Sequence, residues 1–203
     1  MITSKVAALW SCVAIYDQTT PGFFDSIHYV GCDTVGLIHQ DSVLHIVVAG
    51  TQNAKGWLED FSVDPMEHPV LGTVHGGFYG PAVSIFDDLR PLMTGKVSVM
   101  GHSRGAALAA AIAALCVLEG IPVEQVFMFA PPRLGMRKCA DWFAAHLPQA
   151  MAWRNGLDPV PEVPPPLFVD VVPLMRIHVQ PGGFDDINPF AYHSGHLYVA
   201  GVV

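Results

Sequence analysis

The most constraining stretch of the chain is residues 97–118. Val97–Met100 is a short apolar run, and Gly101-His102-Ser103-Arg104-Gly105 follows at once. Thirteen apolar residues come next, Ala106 to Leu118. Such an order reads as a strand, a sharp turn and a helix. Glycines flank the serine where any Cβ would press on neighbouring backbone. The turn lifts the Ser103 hydroxyl clear of the sheet. It also aims the helix N-terminus, with its free N–H groups and positive dipole, at the oxyanion formed in acyl transfer. In another setting the same pentapeptide is only a small-residue turn that contains a serine. The strand before it and the alanine-rich helix after it favour the chemical reading. A membrane-spanning helix needs about 20 apolar residues. The run between Arg104 and Glu119 is shorter, so it reads as a buried core helix.

The rest of the chain alternates in the same way. Residues 3–16 read as a helix, Val43–Ala49 as a buried strand, and Phe78–Arg90 as a helix with Ala82, Ile85, Phe86 and Leu89 at helical spacing. Val123–Ala130 is a continuous apolar strand, Lys138–His146 a short helix and Ala150–Arg154 a strand. Val169–Val179 and His196–Val203 read as late strands forming a hairpin. Near-continuous apolar strands alternating with helices imply an α/β domain with a mostly parallel central sheet flanked by helices. Prolines crowd 159–173, a stretch that can be neither helix nor central strand. It is too short to separate a pair of domains, so residues 1–203 are expected to form one.

Composition removes several function classes. Ten basic residues face 18 acidic ones, a net charge of −8, and Lys and Arg are scattered. A phosphate-binding surface, and with it nucleic acid, is not expected. At 51% hydrophobic the chain has ample apolar surface to fold. The four cysteines, at 12, 32, 116 and 139, have neither Cys-x-x-Cys nor zinc-ligand spacing, and His-Glu-x-x-His is absent. Neither a metal site nor a cofactor is expected. Met1–Tyr16 lacks a small-x-small cleavage site and meets Asp17 early, so it reads as a first helix rather than a signal peptide. A soluble protein, cytoplasmic by default and without a transmembrane segment, is the expectation.

An activated serine needs a base and an orienting acid, here in the chain order Ser, Asp, His. The downstream aspartates are Asp141, Asp158, Asp170, Asp185 and Asp186; the histidines are His146, His178, His193 and His196. Asp158 lies just past a strand end, where α/β folds place functional groups. Pro159 and Pro161 would stiffen its loop. The plainer reading of Asp158-Pro159 is a turn former. Asp141 falls in a helix pattern and Asp185-Asp186 in an exposed-looking turn.

Several blocks occur in order: Val47-Val48-Ala49-Gly50-Thr51, Trp57-Leu58-Glu59-Asp60, Val74-His75-Gly76-Gly77-Phe78, Gly101–Gly105, Phe129-Ala130-Pro131-Pro132-Arg133-Leu134-Gly135, Asp158–Pro165, and His193-Ser194-Gly195-His196-Leu197-Tyr198. Together they resemble the class 3, fungal-type lipases of the α/β-hydrolase superfamily, from about residue 43 to 199. The resemblance implies Ser103 as nucleophile, Asp158 as orienting acid and His193 as base, with His196 as runner-up. It implies an oxyanion hole from the N–H of Arg104 and from Thr51. It gives His75 and His102 supporting, packing roles, and His178 reads as a half-buried structural residue in a strand. Two departures stand out. The family's usual arginine before Gly-Thr is Ala49, and its usual leucine after the serine is Arg104, whose guanidinium could line the cleft and favour a polar or anionic substrate. Segment 53–61 aligns with the family's lid, with Trp57, Leu58 and Phe61 as its apolar underside. Only 35 positions separate Asp158 from His193, which implies trimmed loops.

The leading expectation is therefore a serine carboxylic-ester hydrolase, a lipase or esterase, acting on an acyl-ester or lipid substrate, with action at a lipid–water interface left open. The competing reading is a degenerate α/β-hydrolase that binds a lipid or partner without turnover. A nucleotide-binding α/β protein is disfavoured, since neither glycine-rich phosphate motif occurs.

Overall fold

The computed structural model describes residues 1–17, 22–51, 62–165, 167–182 and 188–203. Along the central strands, alternate side chains enter two different cores. Ile46, Val48, Val99, Val126 and Met128 point to one face; Val47, Met100, Phe127 and Phe129 point to the other. That period of two, buried on both sides, is why these strands are apolar without a break.

The elements run as follows. Helix α1 (Ser4–Leu9), capped by the Thr3 side chain, continues as a π-helical turn, Trp10–Ala14. Strands β1 (Ser26–Val30), β2 (Asp33–Gln40) and β3 (Val43–Val48) follow. A small hairpin, β4 (Pro65–His68) and β5 (Gly72–His75), leads into helix α2 (Gly76–Leu89). Then come β6 (Lys96–His102), α3 (Arg104–Leu118), β7 (Val123–Phe129), α4 (Arg137–His146), β8 (Ala150–Asn155), β9 (Leu174–Ile177) and α5 (Gly195–Gly201). The main sheet has the order β1-β2-β3-β6-β7-β8-β9. Its first two pairings are antiparallel and the remaining four parallel.

One face of the sheet is covered by α2, α3 and α4. The alanines of α3 let it lie close on the strands, and Gly105 through Ala114 are all buried. A helix apolar all round belongs in a core. Among the described residues no helix is long and apolar enough to cross a membrane. The other face is covered by the N-terminal helical segment and α5, through Trp10, Ile15 and Tyr198. There Phe127 and Phe129 stack on Trp153, with centroids 6.1 and 4.9 Å apart.

The late-strand hairpin expected from the sequence does not form. Of Val169–Val179 only Leu174–Ile177 is a strand, and it runs parallel to β8. Residues 196–201 belong to helix α5. Tyr198 and Val199 favour strand locally, but packing overrides that preference: as a helix the segment buries Tyr198 completely. The sequence reading also missed β1, β2, β4 and β5. In the antiparallel pair β1 and β2 the alternation is diluted by polar residues. The β4–β5 hairpin is four residues a side.

Candidate active site

Chemistry-bearing residues gather at the C-terminal ends of β3, β6 and β8. Ser103 sits between β6 and α3 with φ 58° and ψ −134°. Such backbone costs on the order of 1–3 kcal/mol for a residue with a side chain, and the packing around it enforces it. A Cβ on Gly101 would lie 2.2 Å from the Gly105 carbonyl oxygen, and one on Gly105 would lie 2.3 Å from that of Val48. The two glycines let strand, turn and helix meet. The first N–H groups of α3, beginning at Arg104, have no intrahelical acceptor and carry the positive end of the helix dipole.

Asp158 follows β8 through a tight turn, its N–H bonding to the Asn155 carbonyl at 2.9 Å. Its carboxylate is fully buried. Oδ1 accepts from the Val160 N–H at 2.9 Å; Oδ2 accepts from His193 Nδ1 at 2.8 Å and from the Tyr198 hydroxyl at 2.6 Å. One oxygen shapes the turn while the other meets the histidine, so forming a turn and orienting a ring do not compete in this residue. Burial alone would raise the Asp158 carboxyl, but the donors from His193, Tyr198 and Val160 outweigh it and hold the group below its ordinary value. As a carboxylate it accepts the Nδ1 proton of His193, which leaves Nε2 free to act as a base.

His193 ends the 3₁₀ turn Pro189–His193 and is buried. Among the described residues its buried Nε2 has no hydrogen-bond partner, and neither has buried Ser103 Oγ. His196, the runner-up, is exposed on α5. His178 lies just beyond β9 and is exposed, not half-buried.

His102 braces His193. Its ring stacks on that of His193 at 4.7 Å, and Nε2 meets the His193 carbonyl oxygen at 3.1 Å. Its Nδ1 lies 3.4 Å from the Tyr16 hydroxyl, which accepts from the Gly50 N–H at 2.8 Å. Burial first, then neighbouring His193, pushes His102 down to about 3, so it is a neutral ring with a fixed tautomer. At Gly50 a Cβ would lie 3.0 Å from Ser103 Cβ; the chain passes directly over the serine before reaching Thr51. Half-buried Thr51 lines an open cleft of about 510 Å³ together with Tyr16, His102, Phe190, His193 and Ser194.

The Arg104 guanidinium does not line that cleft. It forms a bidentate ion pair with buried Asp33 on β2, so the expected preference for an anionic substrate loses its basis. His75 packs between Phe78 and Phe168, and its Nε2 meets the Ser62 carbonyl. Trp57, Leu58 and Phe61 lie outside the described residues. The sequence reading assigned no role to Tyr16, Asn155 or Tyr198. Asn155 links its side-chain amide to Val179 and Tyr192, while its N–H donates to Tyr198. Tyr198 was legible only as a position in the last block.

An aspartate carboxylate that holds an imidazole, together with a strained serine at a helix N-terminus, supplies the parts for nucleophilic acyl transfer. Comparison with known proteins points the same way. Over 182 residues the chain is 28% identical to a lipase of Rhizomucor miehei, covering 79% of this chain and 49% of that protein. Over 170 residues it is 28% identical to a secreted mono- and diacylglycerol lipase of Malassezia globosa, covering 73% and 56%. The chain thus spans about half the length of the curated relatives it matches. Among solved structures, a lipase from Rhizopus microsporus var. chinensis superposes with a TM-score of 0.70 at 20% identity, covering 87% of this chain and 71% of that one. The triacylglyceride lipase of Rhizomucor miehei gives 0.67 at 18% identity, with 87% and 77% covered. These structures share the α/β fold with its mostly parallel sheet. The profile of the family described as Lipase (class 3) matches residues 45–168, well over half of the sequence, and the chain belongs to that family.

Proposed function

We propose that the chain is a serine carboxylic-ester hydrolase working through an acyl-enzyme. Ser103 attacks the ester carbonyl as its proton passes to His193 Nε2. Asp158 holds the imidazole and stabilises the imidazolium. The N–H groups of Arg104 and Thr51 hold the oxyanion, each worth about 3–4 kcal/mol in the transition state. His193 then protonates the leaving alcohol, and water repeats the sequence to release the acid. One observation carries the reading: the 2.8 Å Asp158–His193 bond belongs to a histidine whose other nitrogen, like Ser103 Oγ, is buried and unpartnered. Two atoms that exchange a proton are the ones left open.

For substrate we propose acyl esters of lipid type, since the relatives are described as lipases and as secreted mono- and diacylglycerol lipases. The same descriptions bear against the cytoplasmic expectation, and we place the activity outside the cell. Assay of medium against cell lysate from the source organism tests that placement.

The function is tested by fluorophosphonate labelling and by hydrolysis of a p-nitrophenyl ester series. Wild type should label and turn over, whereas Ser103→Ala should do neither while keeping its fold. His193→Ala should lose activity by several orders of magnitude, because such residues act as a unit; His196→Ala should lose little. A wild-type protein that folds but takes no label would instead be the degenerate binder.

A further inference from the structure

Asp158 reaches His193 from a turn that a separate group of charges grips. The 3₁₀ turn Val160–Glu162 begins two residues after Asp158 and ends on Glu162. Glu162 Oε1 pairs with Arg154, which stands on β8. Its Oε2 accepts from Arg133 Nη2 at 2.9 Å, in the loop after β7. Arg133 also donates from Nη1 to the carbonyls of Glu162 and Pro164, at 3.0 and 3.2 Å. Its own N–H bonds to the Val163 carbonyl at 2.7 Å. At the near end the turn is closed by Asp158 Oδ1 on the Val160 N–H.

We infer that Glu162 is a positioning residue: pinned between Arg154 and Arg133, its carboxylate locks the turn that presents Asp158 to His193. The inference rests on the proposed triad and adds to it a group that touches neither substrate nor the reacting atoms. The arginine side chains are only 12% and 19% exposed, and among the described residues the buried Arg154 Nε has no hydrogen-bond partner. Glu162 is thus the counter-charge for a guanidinium that solvent barely reaches. Glu162 itself is 52% exposed. A pair of this kind contributes little to stability; what it contributes is direction. The prolines fix local φ angles, and beside the backbone bond from the Arg133 N–H to the Val163 carbonyl the Glu162 carboxylate adds side-chain ties from the turn to β8 and to the loop after β7.

The test separates direction from stability. On p-nitrophenyl butyrate, Glu162→Gln should lower kcat about tenfold or more, since small misplacements of catalytic groups are costly. KM should stay within about twofold and the melting temperature within a few degrees. Arg154→Met should do the same. The double variant should be no worse than Glu162→Gln alone, because Glu162→Gln already removes the pair that Arg154→Met removes. Arg154→Lys should recover most of the loss, since Arg154 meets Glu162 through a single nitrogen. A Glu162→Gln enzyme with wild-type kcat, or additive losses in the double variant, would overturn the inference. Ser103→Ala distinguishes the two claims. If it stays active, the triad reading falls and the clamp with it; if it is dead beside a fully active Glu162→Gln, the clamp alone falls.

Discussion

Asp158 divides two oxygens among three donors, and the Tyr198 hydroxyl is the donor whose removal is most informative. That hydroxyl donates to Asp158 and accepts from the Asn155 N–H at 2.9 Å. Burial, followed by the Asp158 charge, raises its pKa well above the usual tyrosine value, so it keeps its proton and remains a donor. Tyr198→Phe keeps the ring that fills the core and deletes both bonds. It leaves the Asn155 N–H unsatisfied in a buried site, at a cost of about 1–3 kcal/mol. The Asp158 carboxyl, with one donor fewer, should rise toward its ordinary value. Urea denaturation of the variant would read the first effect. An unchanged midpoint would mean that water replaces the hydroxyl.

The pair Arg104–Asp33 acts on elements rather than single residues. It ties the first turn of α3 to the start of β2, across the neighbouring strand β3. Both side chains are largely buried, 14% and 5% exposed. Removing one partner of such a pair leaves an uncompensated charge, at a cost of about 3–5 kcal/mol. Asp33→Ala should therefore destabilise by that amount in a denaturant titration. A loss below about 1 kcal/mol would be the behaviour of a solvated surface pair. Nothing in the sequence announced this contact, because it joins residues 71 positions apart. The same limit explains which elements were legible. Lys96–His102 and Arg104–Leu118 were read to within two residues, since a doubly buried strand and an all-apolar helix carry their burial in composition. Ser26–Val30 was missed: it lies at the sheet edge, and none of its residues is fully buried. Gly195–Gly201 was misread because the burial of Tyr198 against Asp158 decides its conformation, and local propensity points the other way. At the site, Ser103, Asp158 and His193 stood in ordered motifs, whereas Tyr16 reaches it only through Gly50 and His102, far away in the sequence.

Taken as a whole, the molecule keeps several ionisable groups in states that acid would reverse. Burial pushes His45, His68 and His75 down. His102 goes furthest, to about 3, through burial and then through His193. In the unfolded chain a histidine takes up its proton near pH 6.5, whereas folded His102 does not until about pH 3. Between those values the unfolded state binds more protons, so falling pH favours unfolding by about 1.4 kcal/mol per pH unit for each fully titrated group. Asp158 acts in the same direction lower down. Its folded value is depressed, so its contribution is present above the unfolded value near 3.9 and is lost as pH falls through the folded one. His102→Gln removes the largest histidine contribution and keeps an amide that can donate to the His193 carbonyl. Stability measured by urea denaturation in half-unit steps should fall less steeply for this variant between pH 6 and 4, by about 1.4 kcal/mol per pH unit. Above pH 7.5 the two curves should run parallel, because His102 is then neutral in both states. Equal slopes below pH 6 would mean that folded His102 accepts a proton as readily as a free one. The ring stacked on His193 would then be charged, and His102 would not be a neutral brace.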